Sequence, residues 1–279
     1  MIDVMSDHPV ILPQAGSLTE DDLRAMWPIP TASDDKYSRG VVGVDTGSAR
    51  YPGAAVLSTL GALRAGASFV RYCGAEAATP AILARCPSVT FGPGRVSAWV
   101  VGCGWDEDAM NVLRLSPRLD DGVPCVIDAG ALWVIDQALA MNGQSSLPAD
   151  CLLTPHAGEL ARLLGVERAD VEADPARYAV QAAEKIGAAV LLKGAVQYCA
   201  TPDGTVIKAV QGPAWTAQAG SGDVLAGVAA TLLAAGMEAG RAGAAAASLQ
   251  ALAASQNPGP WAPDQLADMF PSVIGRFGQ

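Results

Sequence analysis

Short apolar runs alternate with stretches of helical composition between residues 40 and 255, and this alternation limits the fold more than any other feature. Residues 40–44 (GVVGV) read as a buried strand, residues 53–67 as a helix ending at Gly66, and residues 68–72 (SFVRY) as the next strand. A strand–helix–strand unit of this kind sets its two strands parallel. The pattern recurs, with strands at 88–91, 98–101, 124–128, 151–154 and 189–193 and helices at 107–115, 131–140, 158–164 and 176–186. Residues 196–200 and 206–210, joined through Pro202-Asp203-Gly204, predict an antiparallel hairpin. Helices at 224–235 and 240–255 follow, and a Pro-rich turn at 257–263 precedes a short final helix. The expected fold is α/β and doubly wound, with a mainly parallel central sheet and helices on both faces. At the start of the chain, residues 19–27 predict a short amphipathic helix capped by Thr19 or Ser17. The remainder of residues 1–36 reads as a surface arm, and residues 37–279 as one domain.

In such sheets ligands bind beyond the carboxyl ends of the strands. The stretch that draws most attention there is residues 219–227, AGSGDVLAG. Gly220 and Gly222 free the backbone at a loop-to-helix junction, where unpaired N–H groups and the helix dipole favour an anion. Asp223 does not suit a loop that only holds phosphate, because the two charges repel. It does suit a base that takes a proton from a hydroxyl attacking that phosphate. The same residues also fit a plain capped helix, and this stretch alone leaves both readings open.

Other strand ends carry further candidates. Lys193, followed by Gly194 and Ala195, can hold a phosphate as a point charge or can be a solvated lysine before the hairpin. His156, in Thr154-Pro155-His156-Ala157-Gly158-Glu159, lies on a strand-to-helix loop where it can hydrogen-bond an amide or phosphate. Glu159 reads as an acid stabilising the start of the next helix. Asp128 fits either a magnesium–phosphate ligand or a helix cap. Walker-type GxxxxGK[ST] and GxSxG patterns are absent, and Gly102-Cys103-Gly104 is a poor dinucleotide fingerprint.

Composition narrows the partners. A chain that is 51% hydrophobic and 16% charged can bury a large core, and a net charge of −10 argues against nucleic acid. Six cysteines without a CxxC pair and two histidines do not suit a structural zinc site. The acidic N-terminus lacks the charge of a signal peptide, and residues 224–235 read as part of a buried helix pair rather than a membrane span. These features predict a cytoplasmic protein with reduced thiols.

Together these stretches resemble the ADP/ATP-dependent NAD(P)H-hydrate dehydratases of the ribokinase-like superfamily. AGSGDVLAG is similar to their G-T/S-G-D-V-L-A-G signature and TPHAGELARLLG to their TPHPGE stretch. VLLKGAVQYCATPDG resembles their LKG…PDG stretch, and GSARYPGAAVLSTLGALRAGASFV their N-terminal GGS…AALRAGAG stretch. The likeness runs in order from about residue 40 to residue 255. It implies a ribokinase-like fold and removal of water from hydrated NADH or NADPH ((6S)-NADHX, NADPHX). ADP or ATP drives the reaction, by phosphorylation of the ring hydroxyl and loss of phosphate.

By the same resemblance Asp223 activates that hydroxyl. Lys193, Gly194, Ala195, Val196 and Gln197, with Gly220, Ser221 and Gly222, contact the nucleotide. Ala54, Gly104, His156 and Asp223 contact the hydrated cofactor. Mg2+ bridges phosphates through water, with no direct protein ligand assigned, and the protein is a homo-oligomer. The epimerase domain that often precedes this one is not expected within residues 1–36.

Three departures stand out. The family's G-P-G-L-G reads Gly102-Cys103-Gly104-Trp105-Asp106, its D-A-D-A-L reads Asp128-Ala129-Gly130-Ala131-Leu132, and its K-G-x-x-T ends here in Gln197. Two other readings stay open: a ribokinase-like kinase acting on a vitamin alcohol, and a catalytically silent nucleotide-binding protein. The retained Asp223 argues against the second.

Overall fold

The alternating runs assemble around a single twisted sheet. The computed structural model describes residues 16–278. Among them, the strands are β1 (Gly16–Ser17), β2 (Val41–Asp45), β3 (Phe69–Tyr72), β4 (Thr90–Phe91), β5 (Ala98–Val101), β6 (Cys125–Ile127), β7 (Leu152–Leu153), β8 (Ala189–Leu192), β9 (Tyr198–Ala200) and β10 (Val206–Lys208). Their order is β1-β10-β9-β8-β7-β6-β5-β2-β3-β4. Every neighbouring pair from β8 across to β4 is parallel. The expected hairpin forms from β9 and β10, and β9 also runs antiparallel to β8. The winding reverses between β2 and β5, so the crevice beyond these two strands is the favoured place for a ligand.

Side-chain alternation divides the core into two layers. Val42, Val100, Val126, Leu152 and Leu191 face the alanine-rich helices Ser221–Ala234 and Ala239–Gln256. Trp99, Val101, Ile127, Leu153 and Val190 face the opposite layer, which contains the helices Ile135–Asn142, Ala157–Leu164 and Pro175–Ile186. Among the described residues, no helix is long and apolar enough to cross a membrane.

Several boundaries differ from the sequence-based expectation. The helix after β5 starts as a 3-10 turn, Ala109–Asn111, and runs on as Val112–Asp120 through Pro117. The proline costs one bond to the carbonyl of Leu113, a residue on the exposed side of the helix. The helix expected at 131–140 opens as a 3-10 segment, Ala129–Val134. A further short helix, Arg168–Ala173, had no counterpart in the sequence reading. Near the start of the chain, Thr19 caps Glu20–Met26 in a reciprocal box with Asp22, while Leu23 and Trp27 are buried against the core. β1 pairs with β10 at the sheet edge, most of residues 16–27 stay exposed, and residues 1–15 of the expected arm lie outside the described residues.

One close contact fixes the helix Ser221–Ala234. It packs on the helix Pro52–Arg64 at glycines on both sides. A Cβ on Gly227 would lie 2.0 Å from the Ser58 carbonyl oxygen, and one on Gly61 would lie 2.2 Å from that of Val224. Thr231 adds a bridge by donating to the Ala62 carbonyl at 3.2 Å. Since backbone rather than a flexible side chain fills the space, Gly227→Ala is expected to destabilise the fold by about 1–3 kcal/mol, despite alanine's better helix propensity. Urea unfolding of wild type and variant measures this, and an unchanged midpoint refutes it.

Candidate active site

The helix Ser221–Ala234 aims its N-terminus at the end of the sheet. Gly220 caps it in the left-handed conformation (φ 92°), which a residue with a Cβ adopts at a cost. Helix geometry therefore begins at Ser221, three residues before the sequence-based expectation, and Asp223 falls in the first turn. Lys193, just after β8, comes over the same end: a Cβ on Gly222 would lie 3.1 Å from its Nζ. The Ser221 N–H is given to the Gln218 carbonyl at 3.1 Å, and the Lys193 ammonium converges with the N–H groups that follow it in the first turn, an arrangement that selects an anion.

Carboxylates offset this positive charge. Asp128, just after β6 and 2% exposed, accepts hydrogen bonds from Lys193 Nζ at 2.7 Å and Thr154 Oγ1 at 2.9 Å, both on Oδ1. Cys103 Sγ donates to its Oδ2 at 3.5 Å. Ligand atoms of Cys103, Asp128 and Asp223 all lie within 4.8 Å of one another. Burial lifts the Asp223 carboxyl from its ordinary 3.8 to about 7, and the negative charge of Asp128 adds to the rise. Burial, followed by the Asp128 and Asp223 charges, pushes the Cys103 thiol well above its usual range, so it remains protonated. For Lys193, burial pulls the ammonium down, but the Asp128 and Glu159 carboxylates outweigh it and leave its pKa raised.

His156 and Glu159 form a reciprocal cap at the start of the helix Ala157–Leu164. His156 Nδ1 accepts from the N–H groups of Gly158 (3.0 Å) and Glu159 (3.3 Å), so its proton resides on Nε2. Glu159 Oε2 accepts from the His156 N–H at 2.8 Å. The ring extends outward, 60% exposed, between two clefts, and lines both. One cleft, of about 560 Å³, has Lys193, Gly194, Ala195, Gln197, Ser221 and Gly222 on its walls. The other, of about 710 Å³, is walled by Tyr51, Trp105, Ala129, Trp133, Glu159 and Arg162, among others. Ala129 has a φ of 44°, the only positive φ on a non-glycine residue among those described. Such backbone strain directly after Asp128 is typical of a functional turn.

A sequence profile of the NAD(P)H-hydrate dehydratase family matches residues 42–271, which span every element named in this site. The chain belongs to the NAD(P)H-hydrate dehydratase family. It is similar, at 44% identity over 229 residues, to a bifunctional NAD(P)H-hydrate repair enzyme of Mycobacterium tuberculosis, with 80% of this chain and 47% of that protein aligned. The chain therefore spans about half the length of the mycobacterial relatives it matches. An ADP-dependent (S)-NAD(P)H-hydrate dehydratase of Xanthomonas campestris is 34% identical over 248 residues, covering 81% of this chain and 83% of its own. The crystal structure of an ADP/ATP-dependent NAD(P)H-hydrate dehydratase from Bacillus subtilis, co-crystallized with ATP/Mg2+, superposes with a TM-score of 0.85 at 26% identity. That alignment covers 95% of this chain and 99% of the other. The fold is ribokinase-like.

Measured against the NAD(P)H-hydrate dehydratase motifs, most candidate residues gather around these two clefts. Val196, Gly220 and Asp223 are not on the cleft walls; Gly220 serves as the helix cap, and Asp223 follows Gly222, which is on the wall. Ala54 and Gly104 meet each other, a Cβ on Gly104 falling 2.4 Å from that of Ala54, beneath the loop that carries Tyr51. Gln197 lines the nucleotide-sized cleft in place of a threonine, so an amide replaces the hydroxyl. The missing carboxylate at Gly130 has a steric origin, since a Cβ there would lie 2.7 Å from the Trp105 Cβ and carbonyl oxygen. Trp105 is anchored by Nε1–H donation to the Asp45 carbonyl at 3.0 Å and by the Arg114 guanidinium 4.0 Å from its ring centre. Asp45 is itself buried and paired to Arg114 at 2.5 Å and Arg118 at 3.3 Å. Sequence reasoning missed this second charged group, which belongs to no motif, and the place of Cys103, which it read only as a departure within the G-P-G-L-G stretch.

The raised Asp223 pKa has a stability consequence. The folded chain keeps a proton on Asp223 up to about pH 7, whereas the unfolded chain releases it near 3.8. The group therefore favours folding below this window, and that contribution is lost as pH rises through about 7. Asp223→Asn is expected to stabilise the ligand-free protein by on the order of 2 kcal/mol near pH 8 and not at all near pH 4. Urea titrations at both pH values test this, and equal midpoint shifts refute it.

Proposed function

We propose that this protein removes water from hydrated NADH or NADPH, (6S)-NADHX or NADPHX, using ADP or ATP. The observation that carries this reading is the position of Asp223. A partly buried carboxylate shares the first turn of a helix with Gly222, which lines the cleft of Lys193, and that cleft shares His156 with the second. A phosphate-binding loop alone gains nothing from such an acid.

The nucleotide occupies the cleft of Lys193, Gly194 and Gln197, with its terminal phosphoryl group at the N–H of Gly222. The hydrated nicotinamide enters the cleft of Tyr51 and Trp105, oriented by the Nε2–H of His156. Asp223 takes the proton of the ring hydroxyl as the oxygen attacks phosphorus. A pKa of about 7 places the acid where it is substantially ionised near neutral pH yet basic enough to accept a proton. Lys193 and the helix end stabilise the charge that develops on the phosphoryl oxygens. Phosphate is a far better leaving group than hydroxide, so its departure carries the oxygen off the ring.

The cluster of Cys103, Asp128 and Asp223 does not fit a direct magnesium site. A thiol is a soft donor for a hard ion, and the Lys193 ammonium already occupies Asp128. Magnesium would instead be held by the nucleotide's phosphates, and the chemistry it would supply is to offset their charge.

The test is to incubate the protein with hydrated NADH, magnesium and either ADP or ATP, and to follow absorbance of the reduced nicotinamide. Return of the chromophore with stoichiometric nucleotide consumption is expected. Nucleotide turnover on a vitamin alcohol without that return would instead indicate a kinase. Asp223→Asn is expected to lower kcat by about 10²–10⁴-fold with nucleotide Kd changed only a few-fold, as measured by calorimetry. Near-normal turnover in this variant removes the proposed base.

A further inference from the structure

Dehydration takes two groups from neighbouring carbons, and the mechanism above accounts for only one. Once the ring oxygen has been phosphorylated, the C–O bond breaks and its electron pair leaves with phosphate. A C–H bond on the adjacent ring carbon must also break, its pair becoming the restored C=C bond, and its proton needs an acceptor. Asp223 is poorly placed in time, because it has just taken the hydroxyl proton.

The acceptor must lie close to where the two clefts meet, since the carbon is one bond from the phosphorylated centre. Two nearby groups are already committed. Asp128 Oδ1 holds Lys193 and Thr154, while Oδ2 faces the Cys103 thiol. His156 spends Nδ1 on the helix cap and carries hydrogen on Nε2, so it can donate but not accept. Three carboxylates lie along the larger cleft: Asp106, Glu107 and Glu159. Glu107 is at the rim, 74% exposed and 3.8 Å from Arg162. Asp106 is on the loop after β5 and is not among the charges that act on Lys193. Glu159 differs. Its side chain is 12% exposed, its Oε2 is 2.8 Å from the N–H of the shared residue His156, and its charge is felt by Lys193.

The geometry points to Glu159 as a second catalytic residue, the base that removes the carbon-bound proton as phosphate departs. This rests on the dehydratase reading and adds to it a role beyond the helix cap. The cap uses only Oε2, and Glu159 is on the wall of the larger cleft. Burial raises the Glu159 carboxyl above its ordinary range, which makes the ionised form a stronger proton acceptor than a surface glutamate. The proton then passes to water through the open side of the cleft.

Glu159→Gln separates the two roles, because its amide oxygen still accepts from the His156 N–H. With hydrated NADH, magnesium and ATP, the variant is expected to transfer phosphate in a first turnover. Phosphorylated hydrate then accumulates, as seen by phosphorus NMR or mass spectrometry, and absorbance returns at least 100-fold more slowly than in wild type. Deuterium on the carbon that loses its proton should slow the absorbance phase but not nucleotide consumption. Absorbance return at the wild-type rate overturns the proposal. So does loss of nucleotide consumption in step with absorbance, which would assign Glu159 to the transfer step. If Glu159→Gln does not fold, Glu159→Asp is read by the same two signals. Failure of wild type to restore the chromophore with either nucleotide defeats the dehydratase reading itself, and is distinguished by occurring before any substitution is made.

Discussion

The ion pair between Lys193 and Asp128 is the interaction around which the site is arranged. A buried ammonium without a partner would shed its proton, and a buried carboxylate without one would gain a proton. Held 2.7 Å apart, the two opposite charges partner each other at the base of the cleft. The pair also sets the field for its neighbours. Asp128 raises Asp223 toward neutrality, and Lys193 limits how far that rise goes. Because β6 and β8 flank β7 in the sheet, the spacing of the pair is fixed by strand register rather than by loop conformation.

Backbone contacts give the site its rigidity. Gly227 and Gly61 let two helices touch main chain to main chain, so the glycine-opened end of one cannot slide relative to the sheet. Gly102 acts similarly beyond β5, where a Cβ would fall 2.0 Å from the Asp128 carbonyl oxygen. These approaches bring Cys103 and Asp128 together even though they come from different strands. Placement of charge in this protein is therefore largely a matter of where side chains are absent.

Much of this was legible in the sequence, for identifiable reasons. Apolar runs of four or five residues bounded by glycine read as parallel strands, and β5 matched residue for residue. The convergence of Lys193, His156 and Asp223 followed from the rule that ligands sit beyond strand ends. What stayed hidden was tertiary. The pairing of Asp45 with Arg114 and Arg118 joins residues 69 and 73 positions apart, with no local pattern to reveal it. Likewise, Gly130 read as a lost carboxylate, whereas the structure shows the Trp105 backbone filling the space. The cap formed by His156 and Glu159 was half visible: the acid at helix position three suggested dipole stabilisation, but its exposure to a cleft did not.

The enclosure of Cys103 has a chemical corollary. Its sulfur is fully buried, protonated and set between acids that repel any thiolate. Nucleophilicity in a cysteine depends on the anion, and here burial and the Asp128 and Asp223 charges outweigh Lys193, which favours its formation. Electrophiles and peroxides that react with thiolates therefore meet at this position a buried, protonated sulfur.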